Sequence, residues 1–107
     1  MADSIDYKDA ICKAIAERRL ITLKYENGFD RMVEPHILGR KKNTRNDCLS
    51  GYLIGGYSES GELNSWRSYM IAKILSLSVL EQTFEGARPG YNPEDPSMGS
   101  IYCRLED

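Results

Sequence analysis

Between residues 5 and 18 the apolar side chains Ile5, Ile11, Cys12, Ile15 and Ala16 recur at helical spacing, with polar residues between them. A stripe of that period buries one face of a helix and leaves the other in water. Ser4 in front of it is a good capping residue, and Asp6 and Asp9 sit where the helix dipole favours acids. Arg18 and Arg19 stand near the carboxyl end. The pattern predicts an amphipathic helix over 5–18.

The period changes to two at Leu20. Ile21, Leu23 and Tyr25 point one way, and Thr22, Lys24 and Glu26 the other. Asn27-Gly28 follows, a strong hairpin signal because both residues tolerate positive φ. A second strand runs through Arg31, Met32, Val33 and Glu34, and Pro35 removes a ladder donor where that strand ends, bulges or lies on an edge. Residues 39–47 hold no apolar side chain and read as a solvated loop. A third strand spans 49–57, a turn 58–61, a fourth strand 66–71, and a fifth carries the alternating Leu75, Leu77 and Val79.

After Phe84 the chain is crowded with Pro and Gly, which predicts an irregular arm over 85–107, packed by Tyr91, with a short extended piece at 101–105. The predicted class is mainly β with an N-terminal helix. Helix 5–18 and strands over 20–84 make one domain, a small five-stranded antiparallel β-barrel whose closure removes exposed sheet edges.

Composition fits that plan. A chain of 107 residues with 41% apolar and 28% charged residues is one ordinary globular domain. No apolar run approaches the roughly 20 residues that span a bilayer. The start carries acids where a secretory leader has basic then apolar residues. A cytoplasmic location is therefore expected, with no membrane partner. Net charge is −2, but it is uneven: acids dominate after Glu81, whereas Arg40, Lys41, Lys42 and Arg45 crowd one loop with no acid between them. Such a loop steers anions, or simply keeps the surface solvated.

Cys12, Cys48 and Cys103 are odd in number, far apart and without a CxxC pair. Reduced thiols are the expectation. These cysteines and His36 lack the close pairing of structural zinc ligands, so neither metal nor cofactor is expected. His36, the lone histidine, has no nucleophile motif to serve, and no catalytic residue is assigned.

The order of three motifs carries a resemblance. Arg31-Met32-Val33-Glu34-Pro35-His36-Ile37-Leu38, then Gly51-Tyr52-Leu53, then Trp66-Arg67-Ser68-Tyr69 leading to Lys73-Ile74, resembles the WYL domain family over about residues 5–84. Gly51 stands in place of the tripeptide's Trp, and Tyr69 and Lys73 stand for a Phe and a second Arg. The resemblance implies an Sm-like barrel and a non-enzymatic, ligand-sensing role in bacterial transcription regulation or beside CRISPR systems. It implies single-stranded nucleic acid or a nucleotide-type ligand. No helix-turn-helix precedes the barrel segment, so action through a partner protein, a DNA-binding regulator or CRISPR effector, or through homo-oligomerisation, is expected.

Five residues are the expected ligand groove: Arg31, His36, Tyr52, Arg67 and Tyr69. Paired guanidinium groups fork onto phosphate oxygens, and tyrosines stack bases. The plainer alternatives are ion pairs of Arg31 to Asp30 or Glu34, and packing roles for the tyrosines, Tyr57 included. Arg40, Lys41, Lys42 and Arg45 are expected to steer anions towards that groove. The competing function is a protein-interaction module with no small ligand.

Overall fold

The computed structural model describes residues 7–58 and 61–106. Helix α1 spans Tyr7–Glu17 and buries Ile11, Ala14 and Ile15, members of the predicted stripe and its edge. Ser4, Ile5 and Asp6, the predicted cap and first turn, lie outside the described residues. Arg18 ends the helix in the left-handed region, φ 55°, and its N–H returns to the Ile15 carbonyl at 3.2 Å.

Six strands follow: β1 Arg19–Lys24, β2 Asp30–Lys41, β3 Asp47–Gly56, β4 Ser65–Met70, β5 Ser76–Thr83 and β6 Met98–Arg104. All pairings are antiparallel. The strand path is β4-β3-β2-β1-β5, with β6 added to β2. The first hairpin turns near Asn27-Gly28, but only Gly28 takes positive φ, 85°. The Gly28 N–H closes onto the Tyr25 carbonyl at 2.6 Å, so this is a longer turn capped by one left-handed glycine rather than a two-residue loop. Of the predicted 58–61 turn, residues 59 and 60 lie outside the described ones.

The expected five-stranded barrel needs two corrections. The sheet has a sixth strand, and among the described residues no ladder joins β4 to β5, so it is not closed. It is strongly curled nonetheless. Only residues 71–75 link those two outermost strands, and Ile71–Lys73 form a 3-10 turn that shortens the reach. The Tyr25 and Tyr69 rings meet edge to face at 5.1 Å across strands that are not neighbours.

Strand β2 carries the architecture. One edge pairs β3 along nearly its whole length; the other pairs β1 through residues 30–33 and β6 through 37–41. The register shifts between Pro35 and Ile37, where the proline cannot donate, so the strand bulges rather than ends. The predicted 39–47 loop shrinks to 42–46 because β6 supplies a partner for Gly39–Lys41.

The core lies between α1 and the sheet, with Ile11 and Ile15 against Ile21, Leu23, Val33, Leu49 and Leu53. Cys12 of α1 and Cys103 of β6 form a disulfide with Cα atoms 5.7 Å apart. The expectation of three reduced thiols is thus corrected: α1 packs against β6 and brings together residues 91 positions apart. Cys48 is free and buried, and burial pushes its thiol pKa up. No helix among the described residues is long and apolar enough to cross a membrane.

Candidate anion-binding site

Sheet register sorts the predicted groove residues. Gly51 faces Arg67 and Leu49 faces Tyr69 between β3 and β4, while Leu53 faces Val33 between β3 and β2. With a side-chain period of two, Arg31, Val33, Leu49, Leu53, Arg67 and Tyr69 share one face. Gly51 lies on that face too, where a Cβ would run into Val33 Cγ1. Glycine at position 51 is therefore a packing requirement of this sheet.

Arg31, Arg67 and Tyr69 meet at a cavity of about 120 Å³ whose wall also includes Tyr25, Tyr57 and Glu26. In liquid terms that is room for about four waters. Arg31 is 4% exposed. Its Nη1 donates to Asn27 Oδ1 at 3.3 Å and to the Phe29 carbonyl at 3.1 Å. Its Cζ lies 5.3, 5.1 and 6.0 Å from the ring centroids of Tyr25, Tyr57 and Tyr69.

No carboxylate among the described residues pairs with Arg31. The two acids that offered an ordinary ion pair are engaged elsewhere: Asp30 with Lys24 at 3.1 Å, and Glu34 with Arg88 at 2.7 Å. Three electron-rich ring faces and two neutral oxygens offset part of the cost of burying this cation. Beside it the Tyr69 hydroxyl is buried with no hydrogen-bond partner among the described residues. Burial raises the Tyr69 pKa, so it remains a phenol that can donate.

Arg67 is oriented by its surroundings. It donates to the Trp66 carbonyl at 3.2 Å, to Ser58 Oγ at 3.2 Å and to the Glu62 carbonyl at 3.3 Å. Glu26, the carboxylate on the cavity wall, is held by Lys73 at 3.4 Å.

Tyr52 and His36 are not part of this cavity. Tyr52 lies opposite Glu34 and Trp66, one residue out of phase with Arg31 and Arg67, and so projects from the other face. That face is covered by residues 84–91. The Glu34 carboxylate takes both Arg88 Nε, at 2.7 Å, and Arg88 Nη2, at 2.9 Å, while the guanidinium lies 4.8 Å from the Tyr52 ring.

His36 is fully buried. Its Nε2 accepts the Arg88 backbone N–H at 3.2 Å, so Nδ1 carries the proton and donates to the Glu34 carbonyl at 2.9 Å. Trp66, Phe84 and Tyr91 surround the imidazole at 4.7, 5.6 and 5.2 Å. The single groove expected from sequence is therefore two sites. One is a cationic cavity, and the other is a clamp that holds the arm.

The basic loop is displaced as well. Arg40 and Arg45 lie at the far end of β2, about 30 Å of strand from Arg31 at the usual rise per residue. Arg40 pairs Asp47 at 3.3 Å, and that hydrogen bond raises its pKa; Lys41 Nζ donates to Ser97 Oγ at 3.1 Å. Lys42 donates its backbone N–H to the Ser97 carbonyl at 2.8 Å. These cations border β6, not the cavity.

Tyr25 and Arg88 are the important residues that sequence reasoning left out. The alternation did place Tyr25 on the face of Ile21 and Leu23. Nothing local marks Arg88, whose partner is 54 residues away. No three His, Cys, Asp or Glu side chains among the described residues gather to hold a metal ion. Compared with family models, curated proteins and solved structures, the chain matches none.

Proposed function

We propose that this chain is a non-enzymatic, WYL-like ligand-sensing domain, and that its cavity binds a phosphate of single-stranded nucleic acid or of a nucleotide-type ligand. The observation that carries the reading is Arg31, a buried cation with no carboxylate partner among the described residues, beside a buried phenol with no acceptor among them. A small anion satisfies both at once. Charge-assisted bonds from Arg31 and Arg67 and one bond from the Tyr69 hydroxyl would converge on it. The strand path β4-β3-β2-β1-β5 is also the order a five-stranded Sm-like barrel has when opened at one seam, which supports the family reading. The domain would signal through a partner protein in transcription regulation or as a CRISPR-associated accessory.

Titration with single-stranded DNA and single-stranded RNA at two salt concentrations tests this. Phosphate binding weakens steeply with salt, whereas apolar protein docking does not. Arg67→Ala is expected to lose on the order of 1.5–3 kcal/mol of binding, chiefly through faster dissociation, and Arg67→Lys to recover part of it. A folded Arg67→Ala variant that binds as tightly as the parent overturns the site.

A further inference from the structure

Against Tyr57 of the cavity wall lies an exposed aromatic ring, Phe29. Phe29 is 56% exposed at the end of the hairpin loop 25–29, where it follows the polar Glu26 and Asn27 and then Gly28. It is also held firmly. Its backbone N–H donates to Asn27 Oδ1 at 3.1 Å, and its carbonyl accepts from Arg31 Nη1 at 3.1 Å. The ring stacks on Tyr57 with centroids 4.9 Å apart and planes 21° from parallel. Tyr57 is itself tied to the Asp30 carbonyl at 2.8 Å, and its ring lies 5.1 Å from the Arg31 guanidinium. A cation, a cavity-wall ring and an exposed ring thus form one contiguous series.

We propose that Phe29 is a stacking platform for an unpaired nucleobase of the strand whose phosphate occupies the Arg31 cavity. The inference rests on the phosphate reading of that cavity and adds the feature that recognises the rest of the ligand. Every base presents a π-face, so such a platform selects single strands over duplexes without selecting sequence. The ring is fixed before the ligand arrives, so little side-chain freedom is lost on binding. Sharing of the Phe29 carbonyl with Arg31 couples the positions of platform and cation.

The test compares a short single-stranded oligothymidylate with an abasic deoxyribose-phosphate oligomer of equal length, using the full chain. The parent should bind oligothymidylate about tenfold more tightly than the abasic oligomer, the scale of one stacked base. Phe29→Ala should remove that difference and leave abasic binding unchanged. Phe29→Trp should keep it, and Phe29→Leu, apolar but without a π-face, should not. Melting temperatures confirm that each variant is folded, and the exposed position predicts little change. Equal binding of both oligomers by the parent, or unaltered discrimination in Phe29→Ala, overturns the platform while leaving the phosphate site standing. Binding of neither oligomer overturns both readings. Tighter binding of a phosphotyrosine peptide than of oligothymidylate assigns the ring to a protein ligand and also overturns the proposal.

Discussion

The phenolic oxygen of Tyr25 accepts the backbone N–H of Met70 at 2.7 Å, joining the end of β1 to the end of β4 across two intervening strands. The bond ties two strands that no ladder joins among the described residues, and it braces the Tyr25 and Tyr69 wall of the cationic cavity. Tyr25→Phe keeps the ring and removes the acceptor, leaving a half-buried amide to find water. We expect a loss of about 1 kcal/mol in urea unfolding, with an unchanged slope against denaturant. Oligonucleotide binding should weaken with it, because the Tyr25 ring also flanks Arg31.

Tyr69→Phe should move stability and binding in opposite directions. The hydroxyl is buried without an acceptor among the described residues, which costs about 1–3 kcal/mol of desolvation, so its removal should raise the unfolding free energy by on the order of 1 kcal/mol. The same change takes away the donor that the proposed phosphate site would use and should weaken phosphate binding. A variant that is less stable than the parent would show that the hydroxyl has a structural partner.

Much of this was legible from local pattern. The helix stripe, the switch to alternation at Leu20 and the hairpin at Asn27-Gly28 follow from side-chain period and turn chemistry. The missing donor at Pro35 leaves an end, a bulge or an edge open until the register decides for a bulge. Arg31, Arg67 and Tyr69 were picked together and do meet. Tyr52 and His36 do not join them. His36, five positions from Arg31 in the same strand, already has the opposite parity, whereas for Tyr52 alternation gives parity only within its own strand. Which parity of β3 shares a face with Arg31 depends on register, which the bulges shift. The β6 partner, the Glu34–Arg88 pair and the disulfide join residues more than fifty positions apart, beyond the reach of any local pattern.

The two halves of the arm clamp should not be equivalent. The Glu34 side chain is 5% exposed and that of Arg88 40%. Arg88→Ala strands a buried carboxylate and should cost about 2–4 kcal/mol, near the range for breaking a buried pair from the side that leaves a charge behind. Glu34→Gln leaves a guanidinium that can turn into water, and should cost about 1 kcal/mol. Chemical denaturation of both variants checks the ordering; equal losses would mean that the pair acts only through packing.

The cysteine pairing sets a simple count. Denatured without reductant, the protein should show one free thiol per chain; folded, the buried Cys48 should react slowly because burial holds its thiol neutral. Reduction should lower the melting temperature, since cross-linking a loop of this length removes the equivalent of about 4–5 kcal/mol from the unfolded state. Three thiols in the unreduced denatured chain would rule the bond out.

Acid should release the other end of β2. Burial works against the Asp47 carboxylate, but hydrogen bonds from Tyr102, Lys8 and Arg40 outweigh it and hold its pKa below the ordinary value. A depressed carboxyl stabilises the fold above its unfolded pKa, about 3.9, and the contribution fades as pH falls through the lower folded value. Asp47→Asn should therefore be less stable than the parent at pH 7 and approach it as pH falls through the lowered folded value. A stability gap that stays constant from neutral pH into that range would remove the carboxylate's charge from the account.

The Cys12–Cys103 bond closes residues 12–103, which hold every strand except the last residue of β6, into one covalent ring. Arg40, Lys41, Lys42 and Arg45 stand at or beside the exposed hairpin inside that ring, where a trypsin-like protease finds its preferred residues. A single cut there opens the ring but does not divide the molecule. The two pieces remain joined through sulfur and through the β2 and β3 ladder on either side of the cut. Cleavage at the most basic point of this protein is thus a nick rather than a scission, for as long as its surroundings stay oxidising.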